Sequence, residues 1–288
     1  MNSADFNPWL LRSTGGSRAK RLYCFSYAGG NAAAYLPWQE RLEPNVEVCA
    51  IQLPGRGARW NESPYSDMRQ LLDALCEMLG TECLRDQRPF AFFGHSLGAL
   101  LAFETARMCV RVGIPVPQRL LLSGCSAPQF RKPPKNLHKM PGDELIAALA
   151  KYNGSPAEVL AHRPLMELLL PALRADFSLA ENYVYEAGAP LDIPITVLTG
   201  KRDPHVQLDK IAQWQLETTA SCHVRYFEGD HFFINSERDA VLRCISEELG
   251  VTTNYFDRAI SKNESSYFSP DVKAVTPSSG YVRKREVI

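Results

Sequence analysis

The stretch Pro89-Phe90-Ala91-Phe92-Phe93-Gly94-His95-Ser96-Leu97-Gly98-Ala99-Leu100-Leu101-Ala102-Phe103 constrains this chain more than any other. A bulky apolar run stops at Gly94, and apolar residues resume after Ser96 at helical spacing, so the stretch reads as strand, tight turn and helix. Gly94 and Gly98 bracket the serine because so sharp a turn brings neighbouring backbone too close for side chains there. The turn lifts the Ser96 hydroxyl above the end of the strand. After it, Leu97, Leu100, Leu101 and Met108 mark apolar faces, Ala99, Ala102 and Ala106 allow close packing, and Gly113 with Pro115 supplies a stop. Ser96 is therefore a candidate nucleophile.

The remaining chain has the parts that such a turn needs around it. Residues Arg21 to Ser26, Val46 to Leu53, Arg119 to Gly124, Pro194 to Gly200 and His223 to Glu228 are strand candidates. Between the second of these and the central stretch, Ser66 and Asp67 cap a helix whose Leu71, Leu72, Leu75, Met78 and Leu79 recur at helical spacing. Strands alternating with helices predict an α/β fold with a mostly parallel central sheet and flanking helices. One interval, from about Ala127 to Pro190, is far too long for a connection and is helical in pattern, which predicts an inserted helical lid. Gly142 to Asn153 and Leu165 to Tyr185, with Phe177, Tyr183 and Tyr185, form its expected amphipathic helices. Their apolar surface is read first as packing on the core and second as the wall of a greasy acyl-binding channel beneath the lid.

With 288 residues and 45% hydrophobic content, residues 1–250 can form one large domain around a substantial core. A formal net charge of +0 gives no general reason to expect nucleic acid or a membrane as partner. Cys24, Cys49 and Cys125 fall in or beside strand-like runs and Cys76, Cys109 and Cys244 in helix-like ones, the distribution of reduced, buried thiols. Met1 to Ser13 lacks the basic start and apolar centre of a secretory signal, and no run reaches the roughly 20 apolar residues of a membrane span. A cytoplasmic protein is expected, and a monomer.

A serine hydroxyl needs a neutral imidazole to take its proton and a carboxylate to orient that imidazole. Asp203 lies in Lys201-Arg202-Asp203-Pro204, at the end of one strand candidate, and His231 in Gly229-Asp230-His231-Phe232-Phe233, at the end of the last. The order Ser, Asp, His is that of the α/β-hydrolase fold. His95 points away from its neighbour Ser96, His205 is too near Asp203 in sequence, His138 and His162 belong to the lid, His223 to a strand, and Asp230 is adjacent to His231. In this layout the oxyanion-binding N–H groups come from the loop after an early strand and from the residue after the nucleophile, here Ala28 and Leu97. Arg56 and Arg59, in Pro54-Gly55-Arg56-Gly57-Ala58-Arg59, are read first as braces of their loop and second as an anion site. The basic loop Arg131 to Lys139 is read first as solvated surface and second as a docking site for an acidic partner. No Cys/His grouping has metal spacing and no Gly-rich phosphate loop follows a strand, so no metal or cofactor is expected.

Taken together, Tyr27-Ala28-Gly29-Gly30, Leu53-Pro54-Gly55-Arg56, Gly94-His95-Ser96-Leu97-Gly98-Ala99 with Ala102-Phe103-Glu104, Leu173-Arg174-Ala175-Asp176 and Gly229-Asp230-His231-Phe232-Phe233 carry a resemblance. Over roughly residues 20–250 the chain resembles the type II thioesterases that accompany polyketide synthases and nonribosomal peptide synthetases, relatives of the thioesterase that releases chains from fatty acid synthase. The resemblance implies an acyl thioester on the phosphopantetheine arm of an acyl or peptidyl carrier protein as substrate, and removal of stalled or wrongly loaded groups as the role. Two departures stand out: Asp230 occupies a position that is usually glycine in the family, and residues 251–288, with Tyr255, Tyr267 and Tyr281, extend beyond its usual end and are read first as a disordered tail and second as a docking tail for a partner. The same residues also fit a carboxylesterase or lipase-like hydrolase, an acyltransferase, or an idle hydrolase fold used for binding.

Overall fold

The structure, a computed structural model, describes residues 7–12, 18–42, 45–152, 154 and 156–251. The expectation of a disordered tail, and part of the reading of Met1 to Ser13, lie outside the described residues.

Seven strands make one sheet: β1 (Leu10–Arg12), β2 (Lys20–Phe25), β3 (Val46–Ile51), β4 (Phe90–His95), β5 (Leu120–Ser123), β6 (Ile195–Gly200) and β7 (Cys222–Phe227). Their order is β1-β3-β2-β4-β5-β6-β7, with β1 antiparallel to β3 and every other pair parallel. The helices are α1 (Gln39–Leu42), α2 (Met68–Arg85), α3 (Leu97–Val112), α4 (Gly142–Ala150), α5 (Ala157–Ala161), α6 (Arg163–Glu181), α7 (Phe233–Ser236) and α8 (Arg238–Glu248). None of the described helices is long and apolar enough to cross a membrane, and all eight cysteines are free thiols.

The sheet order places the site. From β2 the chain steps to one side to form β3 and then returns to the other side of β2 to form β4. Loops leaving β2 and β4 therefore diverge, and a crevice opens between them at the carboxyl ends of the strands. Tyr27 to Asn31 follows β2, and Ser96 follows β4.

β4 is anchored on both faces, which is why it reads as one apolar run. Phe92 meets Tyr23 and Phe25 edge-on, at ring separations of 6.1 and 5.1 Å. Phe93, its neighbour in the strand, points to the opposite face and packs against Trp38 at 4.9 Å and Tyr35 at 5.9 Å. Burying one such ring is worth about 2 kcal/mol relative to leaving it in water, so the strand beneath Ser96 is firmly held. α2 begins where Asp67 caps it, accepting the Gln70 N–H at 2.9 Å, and sends Leu71, Leu75 and Leu79 into the core.

Between β5 and β6 the insertion contains α4, α5 and α6. α6 starts at Arg163, two residues before Leu165, because the His162 ring accepts the Leu165 N–H at 3.2 Å and Pro164 suits the first turn. It ends at Glu181, so Tyr183 and Tyr185 fall beyond it, outside any helix or strand. Their hydroxyls are drawn to the core, Tyr183 donating to Glu104 at 2.6 Å and Tyr185 to Glu217 at 2.7 Å.

Candidate active site

Ser96 adopts φ 56° and ψ −116°, a conformation that costs an L-residue energy and persists only where its surroundings fix it. They do so here. A Cβ on Gly94 would stand 2.0 Å from the Gly98 carbonyl oxygen, and one on Gly98 would stand 2.1 Å from that of Phe25. The Ser96 N–H donates to the Ser123 carbonyl at 2.8 Å, tying the turn to β5.

Asp203 and His231 follow β6 and β7, which are adjacent in the sheet, and both are buried. Asp203 Oδ2 lies 2.7 Å from His231 Nδ1, and Asp203 Oδ1 accepts the His205 N–H at 2.8 Å. A carboxylate on Nδ1 holds the proton on that nitrogen and leaves Nε2 as the acceptor.

His231 has two histidine neighbours, with His95 and His205 each 5.0 Å from it between ring centres. His95 is fully buried with Nδ1 against Ser123 Oγ at 2.9 Å, and burial first, with the neighbouring His231 adding to it, holds its pKa well below the usual histidine range. His205 lies flat on Tyr152 at 3.9 Å and is pushed down to about 4 by burial and by His231. Of these three, only His231 has a carboxylate on a ring nitrogen. His138 pairs instead with Glu181 at 2.5 Å within the insertion, and His223 is exposed on β7.

Two cavities meet at the serine. One, of about 370 Å³, is rimmed by Arg131, Lys132 and Lys135 of the basic loop. The other, of about 290 Å³, is walled by Leu149, Val159, Met166, Leu169 and Leu173 of the insertion. Ala28, Ser96, Tyr152, Phe177 and His231 line both. Leu97 lines the first, and as the opening residue of α3 its N–H has no partner within the helix.

Arg56 and Arg59 are both buried and both engaged with protein. Arg59 reaches Glu62 at 2.5 Å and the Gln52 carbonyl at 3.1 Å, and its guanidinium sits 3.9 Å over the Trp9 ring. Arg56 makes a two-pronged pair with Asp176 of α6, at 2.6 and 2.7 Å. That pairing and the place of Tyr152 are absent from the sequence reading. Asp176 and Arg56 do stand in two of the motifs that carry the resemblance, whereas nothing in the residues around Tyr152 singles it out.

The family model for the thioesterase domain matches residues 20–249. Linear gramicidin dehydrogenase LgrE of Brevibacillus parabrevis is 37% identical over 246 residues, covering 84% of this chain and 92% of that protein. The dehydrogenase in that name has no counterpart in this chain's first glycine loop, since Gly29-Gly30 after β2 lacks the spacing of a dinucleotide-binding turn. Thioesterase PikA5 of Streptomyces venezuelae is 31% identical over 281 residues, with 97% and 94% coverage. Among solved structures, the type II thioesterase BorB from the borrelidin biosynthetic cluster superposes with a TM-score of 0.77 at 36% identity, covering 84% of this chain and 98% of its own. A mostly parallel sheet with its strand-turn-helix at Ser96, a domain match over most of the chain and relatives of nearly equal length agree: this chain belongs to the thioesterase family, as a type II thioesterase of the α/β-hydrolase fold that hydrolyses thioesters.

Proposed function

We propose that this enzyme clears acyl groups from the phosphopantetheine arm of acyl or peptidyl carrier proteins, with Ser96 as nucleophile, His231 as general base and Asp203 as the group that orients it. Ser96 attacks the thioester carbonyl as His231 takes its proton. The N–H groups of Ala28 and Leu97 hold the oxyanion, and His231 returns the proton to the departing thiol. Water, deprotonated by His231, then attacks the acyl-enzyme and releases the acid. No cofactor enters this scheme. The working domain is residues 1–250, with about 127–190 as its lid.

One observation carries the reading: two cavities of unlike lining meet at Ser96 and His231. A carrier-bound acyl thioester is itself two unlike halves joined at the scissile bond, an apolar chain on one side and a polar arm ending in phosphate on the other. The leucine-lined cavity suits the first, and the cavity rimmed by Arg131, Lys132 and Lys135 suits the second and an acidic carrier surface beyond it. PikA5 and BorB bear thioesterase names, and the latter's is tied to a biosynthetic cluster, which is the setting proposed here.

The test is intact-mass analysis of carrier proteins loaded with a series of acyl groups, mixed with wild type or with Ser96→Ala. Wild type alone should remove the acyl mass and leave the free phosphopantetheine thiol, while Ser96→Ala lowers turnover by a factor of about 10³ or more and still binds the carrier. Carriers that stay loaded while simple oxygen esters are cleaved would replace this reading with that of a carboxylesterase.

A further inference from the structure

The loop that carries Ala28 is held by the insertion, through a contact remote from Ser96 and His231. Tyr27 to Gly30 is a tight turn closed by the Gly30 N–H to the Tyr27 carbonyl at 2.8 Å, and Gly29, its third residue, has φ +74°. That sign at that position is what a type II turn requires, and the conformation is decided by how the Ala28–Gly29 peptide is turned. Asp176 of α6 takes the Gly29 N–H at 2.7 Å with the same Oδ2 that receives Arg56 Nη1 at 2.6 Å. Arg56 Nη2 binds the other carboxylate oxygen at 2.7 Å, and Nη1 lies 3.3 Å from the Gly30 carbonyl. One carboxylate and one guanidinium thus hold an N–H and a C=O of the same turn. Both side chains are buried, and Leu173, one turn before Asp176, presses so closely on Gly29 that a Cβ there would stand 2.5 Å from Leu173 Cδ2.

The geometry points to Asp176 and Arg56 as positioning residues that set the orientation of the Ala28 N–H through the Gly29 peptide, so that a helix of the lid, and not the sheet alone, shapes the oxyanion site. This rests on the proposed roles of Ser96 and Ala28. The pair touches no reacting atom. A buried pair with no such task would affect folding alone, whereas a positioning pair leaves substrate binding intact and weakens the stabilisation of the developing oxyanion.

Two variants separate those cases. Asp176→Asn keeps the shape and loses the charge. The double replacement Arg56→Met with Asp176→Leu substitutes an apolar pair of similar size, which buried ion pairs tolerate without loss of fold, and removes the bond to Gly29. Each is assayed at saturating and limiting acyl-thioester concentration, with rates of Ser96 labelling by a fluorophosphonate and thermal melting alongside. Removing one oxyanion donor outright lowers kcat about 10²- to 10³-fold, so misaligning it should lower kcat about 10- to 100-fold in the double variant, with KM within about threefold and slower labelling. A folded double variant with wild-type kcat and labelling overturns the inference. So does a kcat that falls only in proportion to the fraction unfolded. If wild type itself fails to cleave thioesters or to label at Ser96, the proposed function has failed, a separate result.

Discussion

The insertion has two halves that meet the core in different ways. α6 is fixed to the core by polar bonds: Asp176 to Arg56 and Gly29, and Tyr183, just past its end, to Glu104. Seven of its residues are buried. α4 buries only Leu145, α5 buries none, and both rest on a small apolar cluster with Met166, Leu173 and Phe177 of α6. Directional bonds lock a helix in register, whereas apolar contact without them permits sliding and local opening. The apolar cavity is lined by both halves, with Met166 and Leu173 on α6 and Leu149 and Val159 on the α4–α5 side. On the proposed function, the α4–α5 half is the part of the cavity wall expected to yield to substrate, and the α6 half the part expected to keep the geometry of the site.

The hardest test of that division is Asp176→Ala. It leaves the Arg56 charge buried and unpaired, and the expected cost is about 3–5 kcal/mol of global stability, read from urea unfolding. Hydrogen exchange on wild type should show the same contrast, with α6 amides exchanging only through global unfolding and those of α4 and α5 exchanging through cheaper local opening. Equal protection in the two halves would remove the distinction. Next in size is Leu145→Ala, which empties the one buried position of α4. It should cost about 2 kcal/mol or more in local protection of α4 while α6 is unchanged. Loss of protection in both would mean that the insertion opens as one body.

The two halves also differ in how far they could be read from the sequence. Ser96, Asp203 and His231 stand out because each lies just past the end of a strand candidate among turn residues, Gly98, Pro204 and Gly229, so local chemistry marks the place. Their contacts are another matter. Asp203 and His231 are 28 residues apart and Arg56 and Asp176 are 120 apart, and only the sheet order and the folding back of the insertion bring them together. β1 has three residues, too few to display a period. Tyr152 matters through its stack on His205, a pairing with no local signal.

That stack gives the next prediction. The pKa of His205 is pushed down to about 4 in the fold, against about 6.5 in an unfolded chain. Between those values the unfolded state binds more protons, so the contribution is unfavourable at low pH: stability is full above about pH 6.5 and falls as pH drops toward 4. His95, depressed by burial, acts in the same direction. His205→Phe keeps a ring on Tyr152 and removes one of the two, so its urea midpoint should fall less than that of wild type between pH 7.5 and pH 5. Equal falls would assign the acid sensitivity to His95 and the carboxylates instead.

The smallest effect belongs to the ion pair that joins the two halves across the surface. Arg163 Nη1, at the start of α6, lies 2.7 Å from Asp143 Oδ1, at the start of α4, with side chains 62% and 66% exposed. Water already solvates both groups, and fixing two long side chains costs conformational entropy, so Arg163→Ala should change stability by about 0.5 kcal/mol or less, and by less still at high salt. Its value lies in what it excludes. If α4 is held by apolar contact alone, its exchange rates should be the same in Arg163→Ala as in wild type, while Leu145→Ala raises them. A tenfold rise in Arg163→Ala, with the difference from wild type shrinking as salt is added, would mean that this exposed pair clamps α4 to α6, and the half assigned to substrate entry would then be as firmly tied as the half that shapes the site.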